Sequence, residues 1–218
     1  MSRPRPVGRS ISMPPSSDSG REAAAVETEL AGREVVLGVA GGVAAYKAAM
    51  LASLLVKQSV GVTAVLTESA MQFVGEATFA ALTGRPVATR LFDPGRYPLG
   101  GHIELVTAAD LVVVAPATAD VIAKAAMGGA DDLLSTLLLA AECPVMLAPA
   151  MNAAMWAKPA VQRNVSRLVA DGVGIIEPGS GWLACRREGA GRMAEPEAIA
   201  AEIARVFGGG TLPRTGAK

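Results

Sequence analysis

The chain has 218 residues, 51% of them apolar, with 20 basic and 20 acidic side chains and a single histidine. That neutral balance excludes a surface built to track nucleic-acid phosphates, which needs a basic excess, and the 4% aromatic content leaves no base-stacking platform. Two cysteines, Cys143 and Cys185, make no disulfide framework, and no uncharged apolar run reaches the roughly 18 residues a membrane helix needs.

Residues 1–32 are expected to be a disordered tail, because the stretch from Met1 to Gly20 is rich in Pro, Ser and Arg and lacks periodic apolar residues. Arg3, Arg5 and Arg9 precede no apolar segment, so a secretory signal is not expected, and Pro4, Pro6, Pro14 and Pro15 oppose an amphipathic targeting helix. A cytoplasmic protein with one folded domain over 33–207 and a flexible end over 208–218 is the expectation.

Glu34 to Ala40 (EVVLGVA) reads as a buried strand. Gly41-Gly42 is a tight turn, and the spacing of Tyr46, Met50, Leu54 and Leu55 predicts a helix after it. Val62 to Thr67 reads as a second strand, and one or two helices are expected between Ser69 and Leu82. The stretch FDPGRYPLGG from Phe92 to Gly101 is loop chemistry, and His102 opens a short helical stretch.

Leu111 to Ala115 is a third strand with an exit turn over Pro116 to Asp120, followed by a helix from about Val121. Asp131 and Asp132 stand where N-terminal capping and the helix dipole favour carboxylates, ahead of a helix over Leu133 to Ala141. Pro144 to Ala148 is a fourth strand followed by a turn, Ala160 to Asp171 a helix, and Val173 to Ile176 a fifth strand. Pro178 to Met193 is Gly-rich and expected to be irregular; Glu195 to Phe207 is the closing helix.

Strands alternating with helices imply a mostly parallel sheet covered on both faces. Ligands of such sheets sit outside the carboxyl ends of the strands, and every unusual segment falls at such an end. Gly41 and Gly42 let the backbone approach a phosphate at a helix N-terminus, with Thr67 and Ser69 as hydroxyl donors; the alternative is a turn that merely packs the helix. Gly38, Gly41 and Gly42 do not have the G-x-G-x-x-G spacing, so a mononucleotide fits better than a dinucleotide.

The imidazole of His102 is the side-chain type suited to proton transfer near neutrality, although composition alone favours a capping or surface role for a single histidine. Asn152, in the segment Pro149 to Trp156, can donate and accept at once, which suits a carboxylate or a flavin edge. Met151, Met155 and Trp156 build an apolar wall there, or plug the core or a subunit interface. Cys185 lies between Gly-rich stretches beside Arg186 and Arg187, whose charge lowers a thiol pKa, whereas Cys143 reads as inert core.

The motifs GGVAAYK, His102-Ile103-Glu104-Leu105, PATAD at Pro116 to Asp120, GADDLLSTLLLAA, PAMNAAMW, and LAC followed by GAGRMAEP occur in this order from Val35 to Val206. Together they resemble the family of homo-oligomeric flavin-containing cysteine decarboxylases. The resemblance implies a three-layer flavodoxin-like (Rossmann-like) α/β sandwich, a homotrimer or an assembly of trimers, FMN near a subunit interface, and no metal. It assigns Gly41, Gly42, Val43, Thr67 and Ser69 to the FMN phosphate, with Thr118, Ala119, Asp120 and Ala150 along the flavin.

By the same resemblance His102 is the catalytic base, Asn152 and Met155 bind substrate, and Cys185 is the proton donor. The implied reaction oxidises the cysteinyl Cβ, releases CO2 and reduces the resulting enethiol, which turns 4′-phosphopantothenoylcysteine into 4′-phosphopantetheine in coenzyme A biosynthesis. The alternatives are decarboxylation of a C-terminal peptide cysteine and a non-catalytic flavoprotein subunit.

Two departures stand out. The turn after the third strand carries Asp120 where the family has Asn, placing a negative charge beside the cofactor. Arg186 replaces the Gly that follows the loop cysteine. The family's common fused arrangement adds a synthetase domain that lies outside this sequence, so that activity is expected elsewhere, or the substrate differs.

Overall fold

A computed structural model describes residues 30–182, 186 and 188–214. Cys185 and most of the N-terminal tail expected to be disordered lie outside the described residues. Five parallel strands form one sheet: β1 (Glu34–Val39), β2 (Gly61–Leu66), β3 (Leu111–Ala117), β4 (Val145–Pro149) and β5 (Gly174–Ile175), in the order β2-β1-β3-β4-β5. This is the doubly wound flavodoxin-like order.

The strands are nearly continuous apolar runs because helices cover both faces; every residue of β3 is buried. On one face Leu37, Val113 and Met146 pack with Leu51 and Leu55 of α1 (Ala45–Lys57), Phe79 of α2 (Glu76–Thr83), and Ile199 and Ile203 of the closing helix (Pro196–Phe207). On the other, Val36, Val112, Val114 and Leu147 meet Leu105 of α3 (Gly101–Thr107), Ile122 of α4 (Ala119–Met127), Leu134 and Leu137 of α5 (Leu133–Ala140), and Leu168 of a later helix (Pro159–Ala170). Burying such a side chain stabilises by about 1.5–3 kcal/mol, so the two interfaces hold the three layers together.

Gly38 belongs to this packing: a Cβ there would lie 2.5 Å from Leu134 Cδ1, so its absence lets α5 sit close on β1. Asp132 caps α5 through a reciprocal capping box, its carboxylate accepting from Ser135 N–H at 2.7 Å while Ser135 Oγ accepts from Asp132 N–H at 3.1 Å.

Three expectations are corrected. The segment expected to be irregular forms an antiparallel hairpin of β6 (Gly179–Trp182) and β7 (Glu188–Arg192). Glycines at 179, 181, 189 and 191 give no alternation to read. Leu30, assigned to the tail, is fully buried in the core; Val26 and Leu30 alone are too few apolar positions to set a period beside the Pro-, Ser- and Arg-rich start. The start of the expected flexible end is anchored: Pro213 C=O accepts from Ile175 N–H at 2.8 Å, and Leu212 packs on the core, covering the β5 edge.

The turn expected after β4 contains one short helix, α6 (Ala153–Trp156). The helix that follows is α7 (Pro159–Ala170), and the closing helix is α8 (Pro196–Phe207).

Candidate active site

The carboxyl ends of β1 to β4 open into one cleft of about 1300 Å³. It lies across the β1/β3 junction, where the chain winds to either side and ligands of such sheets bind. Its floor is laced by backbone bonds between exit turns: Ala40 N–H to Pro116 C=O at 3.3 Å, Thr67 N–H to Val39 C=O at 3.1 Å, and Ala150 N–H to Ala117 C=O at 2.9 Å.

All nine positions expected to hold the cofactor line this cleft: Gly41, Gly42, Val43, Thr67, Ser69, Thr118, Ala119, Asp120 and Ala150. At the β1 exit turn a Cβ on Gly41 would meet Ser69 Oγ at 2.4 Å and the Ser69 carbonyl carbon at 2.7 Å, so only glycine lets the two turns touch. The hydroxyls of Thr67 and Ser69 lie 3.1 Å apart. Ala44, the N-cap of α1, offers no side-chain cap; Ala45 N–H and Lys47 N–H donate to Gly42 C=O and Ala44 C=O at 2.9 Å each, so within the first turn the N–H left to an anion among the described residues is that of Tyr46.

Thr118 caps α4, its Oγ1 accepting from Val121 N–H at 3.5 Å. That cap places Asp120 in the first turn, on the cleft wall. Asp120 is not an isolated charge: Lys124 Nζ lies 3.3 Å from it, 2.9 Å from Asp131 and 3.1 Å from Asp132. The hydrogen bond that Lys124 donates to Asp131, with Asp132 and Asp120 beside it, pushes the Lys124 pKa up. Lys124 in turn holds Asp131 below the usual carboxylate range. For Asp132, burial opposes ionisation, but the Ser135 N–H and Lys124 outweigh it and hold its pKa down as well.

Asn152 is the N-cap of α6, its Oδ1 accepting from Met155 N–H at 2.8 Å. This bond orients the side chain, and both amide N–H donors remain without a partner among the described residues. Asn152 and Met155 line the cleft at the β4 end. Return strand β7 pins this wall: Met151 N–H donates to Gly191 C=O at 2.9 Å.

His102 is not brought to the cleft wall of its own chain. It is half-buried in the first turn of α3, with Nδ1 buried and without a partner among the described residues. Cys185 lies outside the described residues, between β6 and β7. Lys47, Lys124, Trp182 and Arg192 line the cleft and were not singled out from the sequence. Lys47 stands in the GGVAAYK motif, but its inward direction depends on a carboxylate from the far end of the chain. Among the described residues no group of three His, Cys, Asp or Glu is arranged to hold a metal ion, and no helix is long and apolar enough to cross a membrane.

A model of the flavoprotein family matches residues 23–208. The chain is 50% identical over 167 residues to the coenzyme A biosynthesis bifunctional protein CoaBC of Mycobacterium bovis, covering 77% of this chain and 40% of that protein. The same identity holds for CoaBC of Bacillus subtilis, of which 41% is covered; the chain thus spans about two fifths of these curated relatives. Among solved structures, a PPC decarboxylase variant complexed with pantothenoylaminoethenethiol superposes with a TM-score of 0.71 at 30% identity, covering 81% of this chain and 98% of that one. By sequence and by fold, this chain belongs to the flavoprotein family.

Proposed function

We propose that the chain is an FMN-dependent decarboxylase that converts 4′-phosphopantothenoylcysteine to 4′-phosphopantetheine in coenzyme A biosynthesis, acting in the cytoplasm. The observation that carries this reading is the cleft, which gathers the glycine turn, the two hydroxyls, the Thr118 to Asp120 turn and Asn152 at one sheet end. The CoaBC relatives and the PPC decarboxylase structure supply the substrate class.

The residues present fit FMN. The close contact of Gly41 with Ser69 makes a cradle that a Cβ would fill, and the uncapped start of α1 leaves the Tyr46 N–H as a donor. Lys47, Lys124 and Arg192 are each paired with carboxylates, so the phosphate is held by neutral N–H and O–H donors and the helix dipole. When bound, FMN supplies the redox chemistry at the cysteinyl Cβ.

The chain positions the reactants and moves protons. The free amide N–H groups of Asn152 hold the substrate carboxylate, and Met155 packs against its apolar part. His102 takes the thiol proton, and Cys185 returns a proton to the enethiol carbon. Because His102 stands off its own cleft, we assign it to the cleft of a neighbouring copy in a homotrimer. The exposed apolar side chains of Val43, Tyr46, Met50 and Phe73, on and beside α1, support such an assembly.

The test is the absorbance spectrum of the purified protein, followed by mass analysis of CO2 loss from 4′-phosphopantothenoylcysteine and from a peptide ending in cysteine. A flavin spectrum and turnover of the small substrate are expected. A colourless protein that cannot be reconstituted with FMN, or turnover of the peptide alone, refutes the reading. Cys185→Ser should still release CO2 but accumulate the enethiol, and loss of CO2 release there would give Cys185 another role.

A further inference from the structure

Lys47 is the one strongly buried ammonium among the described residues, with its side chain only 6% exposed. It lies in α1, four residues beyond the phosphate turn, and on the cleft wall. A buried ammonium is tolerated only beside a compensating carboxylate. Here that partner is Glu195, at the start of α8, whose Oε2 accepts from Lys47 Nζ at 2.8 Å.

Glu195 does not serve Lys47 alone. Its Oε1 lies 2.8 Å from Arg192 at the end of β7, so each carboxylate oxygen is held by a different cation. Although the Glu195 side chain is half-exposed, Lys47, with Arg192 beside it, holds its pKa below the usual carboxylate value. One residue before Arg192, Gly191 accepts from Met151 N–H, and its φ of +113° lets the strand approach the Asn152 turn. A Cβ on Gly191 would stand 2.6 Å from the Met151 carbonyl oxygen. Between these two attachments Met193 is buried in the core.

We propose that Glu195 is a positioning residue: its bridge between Lys47 and Arg192 ties β7 to the helix of the phosphate turn and so sets the substrate wall at Met151 and Asn152 relative to the cofactor end. Glu195 itself does not line the cleft; it acts through β7. Beyond its pairing with β6 and the buried Met193, β7 is fastened to the cleft walls at two points, a backbone bond on the Asn152 side and a charged bridge on the α1 side. Losing the bridge leaves the α1 side unfastened.

The inference deepens the proposed function and rests on it for its kinetic arm only. The experiment compares wild-type holoprotein with Glu195→Gln and with the double variant Lys47→Met, Glu195→Gln, which removes the buried charge that the single variant strands. Hydrogen exchange of Glu188–Arg192 and Met151 should accelerate in both variants, with β1 to β4 unchanged and the flavin spectrum retained. KM for 4′-phosphopantothenoylcysteine should rise roughly tenfold, the loss of one charge-assisted hydrogen bond, with kcat per bound flavin falling less. Unchanged exchange at β7 in both variants overturns the proposal. So does acceleration spread over the whole sheet, which would make the bridge merely structural. A wild-type protein without turnover refutes the proposed function and leaves the exchange arm readable.

Discussion

Gly41→Ala is the sharpest test of the phosphate end of the cleft. The new Cβ would lie 2.4 Å from Ser69 Cβ and Oγ, about 1 Å short of ordinary van der Waals contact, and 2.7 Å from the Ser69 carbonyl carbon. Ser69 is backbone-anchored, since its C=O accepts from Gln72 N–H at 3.3 Å, so a rotamer change alone cannot relieve the clash. Gly41 does not occupy the left-handed region, so the cost is purely steric.

Overpacking of this kind costs about 1–3 kcal/mol, and a domain of this size loses about 2–4 °C of Tm per kcal/mol. Under the proposed function, a displaced Ser69 hydroxyl also loses its hydrogen bond to the FMN phosphate, about 1.5–3 kcal/mol, or roughly 10- to 100-fold in FMN affinity. Gly42→Ala is the control, because its Cβ would meet nothing closer than Thr118 Cγ2 at 3.8 Å. Thermal melts of the apoprotein and titration of flavin fluorescence read both effects. A Gly41→Ala protein with wild-type Tm and FMN affinity would refute the steric account of the cradle.

Gly191→Ala combines a positive φ with contact at 2.6 Å to the Met151 carbonyl oxygen, so it should lower Tm by several degrees through a cost of about 1–3 kcal/mol; calorimetry checks it. Asp132→Ala removes the capping box of α5 and should destabilise by about 0.5–2 kcal/mol in denaturant titrations. Asp132 has a folded pKa below its unfolded value, so its contribution is present above the ordinary carboxylate range and is lost as pH falls through the folded pKa. Asp132→Asn should therefore flatten the acid limb of the stability curve, and an unchanged limb contradicts the assignment. Asp120→Asn should leave FMN bound and raise the flavin midpoint potential, because it removes negative charge from the cleft wall; a spectroscopic redox titration measures it, and a lowered potential speaks against the placement.

The β/α alternation was legible because buried parallel strands are unbroken Val-rich runs and the helices between them keep their apolar spacing. The cleft end of the sheet was legible for a related reason. Gly41-Gly42, Thr67, Thr118 and Asn152 each terminate a strand, and connections in such a sheet converge on one edge. The Asp131-Asp132 helix start was equally local, since capping acts over three residues.

Non-local pairings were not legible. The β6–β7 hairpin is built from glycines that carry no alternation, and Leu30 and Leu212 reach the core from polar surroundings. Asp120 meets Lys124 four residues on in the same helix, a local pair; folding brings Asp131 and Asp132 to the same ammonium and makes a shared cluster. The sequence by itself determined the layers, the position of the cleft and the residues at its rim, because those follow from hydrophobic period and turn chemistry within a few neighbours. Only the tertiary structure decided that Gly38 serves packing and Gly41 the cradle, that His102 stands off its own cleft, and that Lys47 meets Glu195. Each of those depends on which distant side chain the fold carries within a few ångströms, and no local pattern encodes that distance.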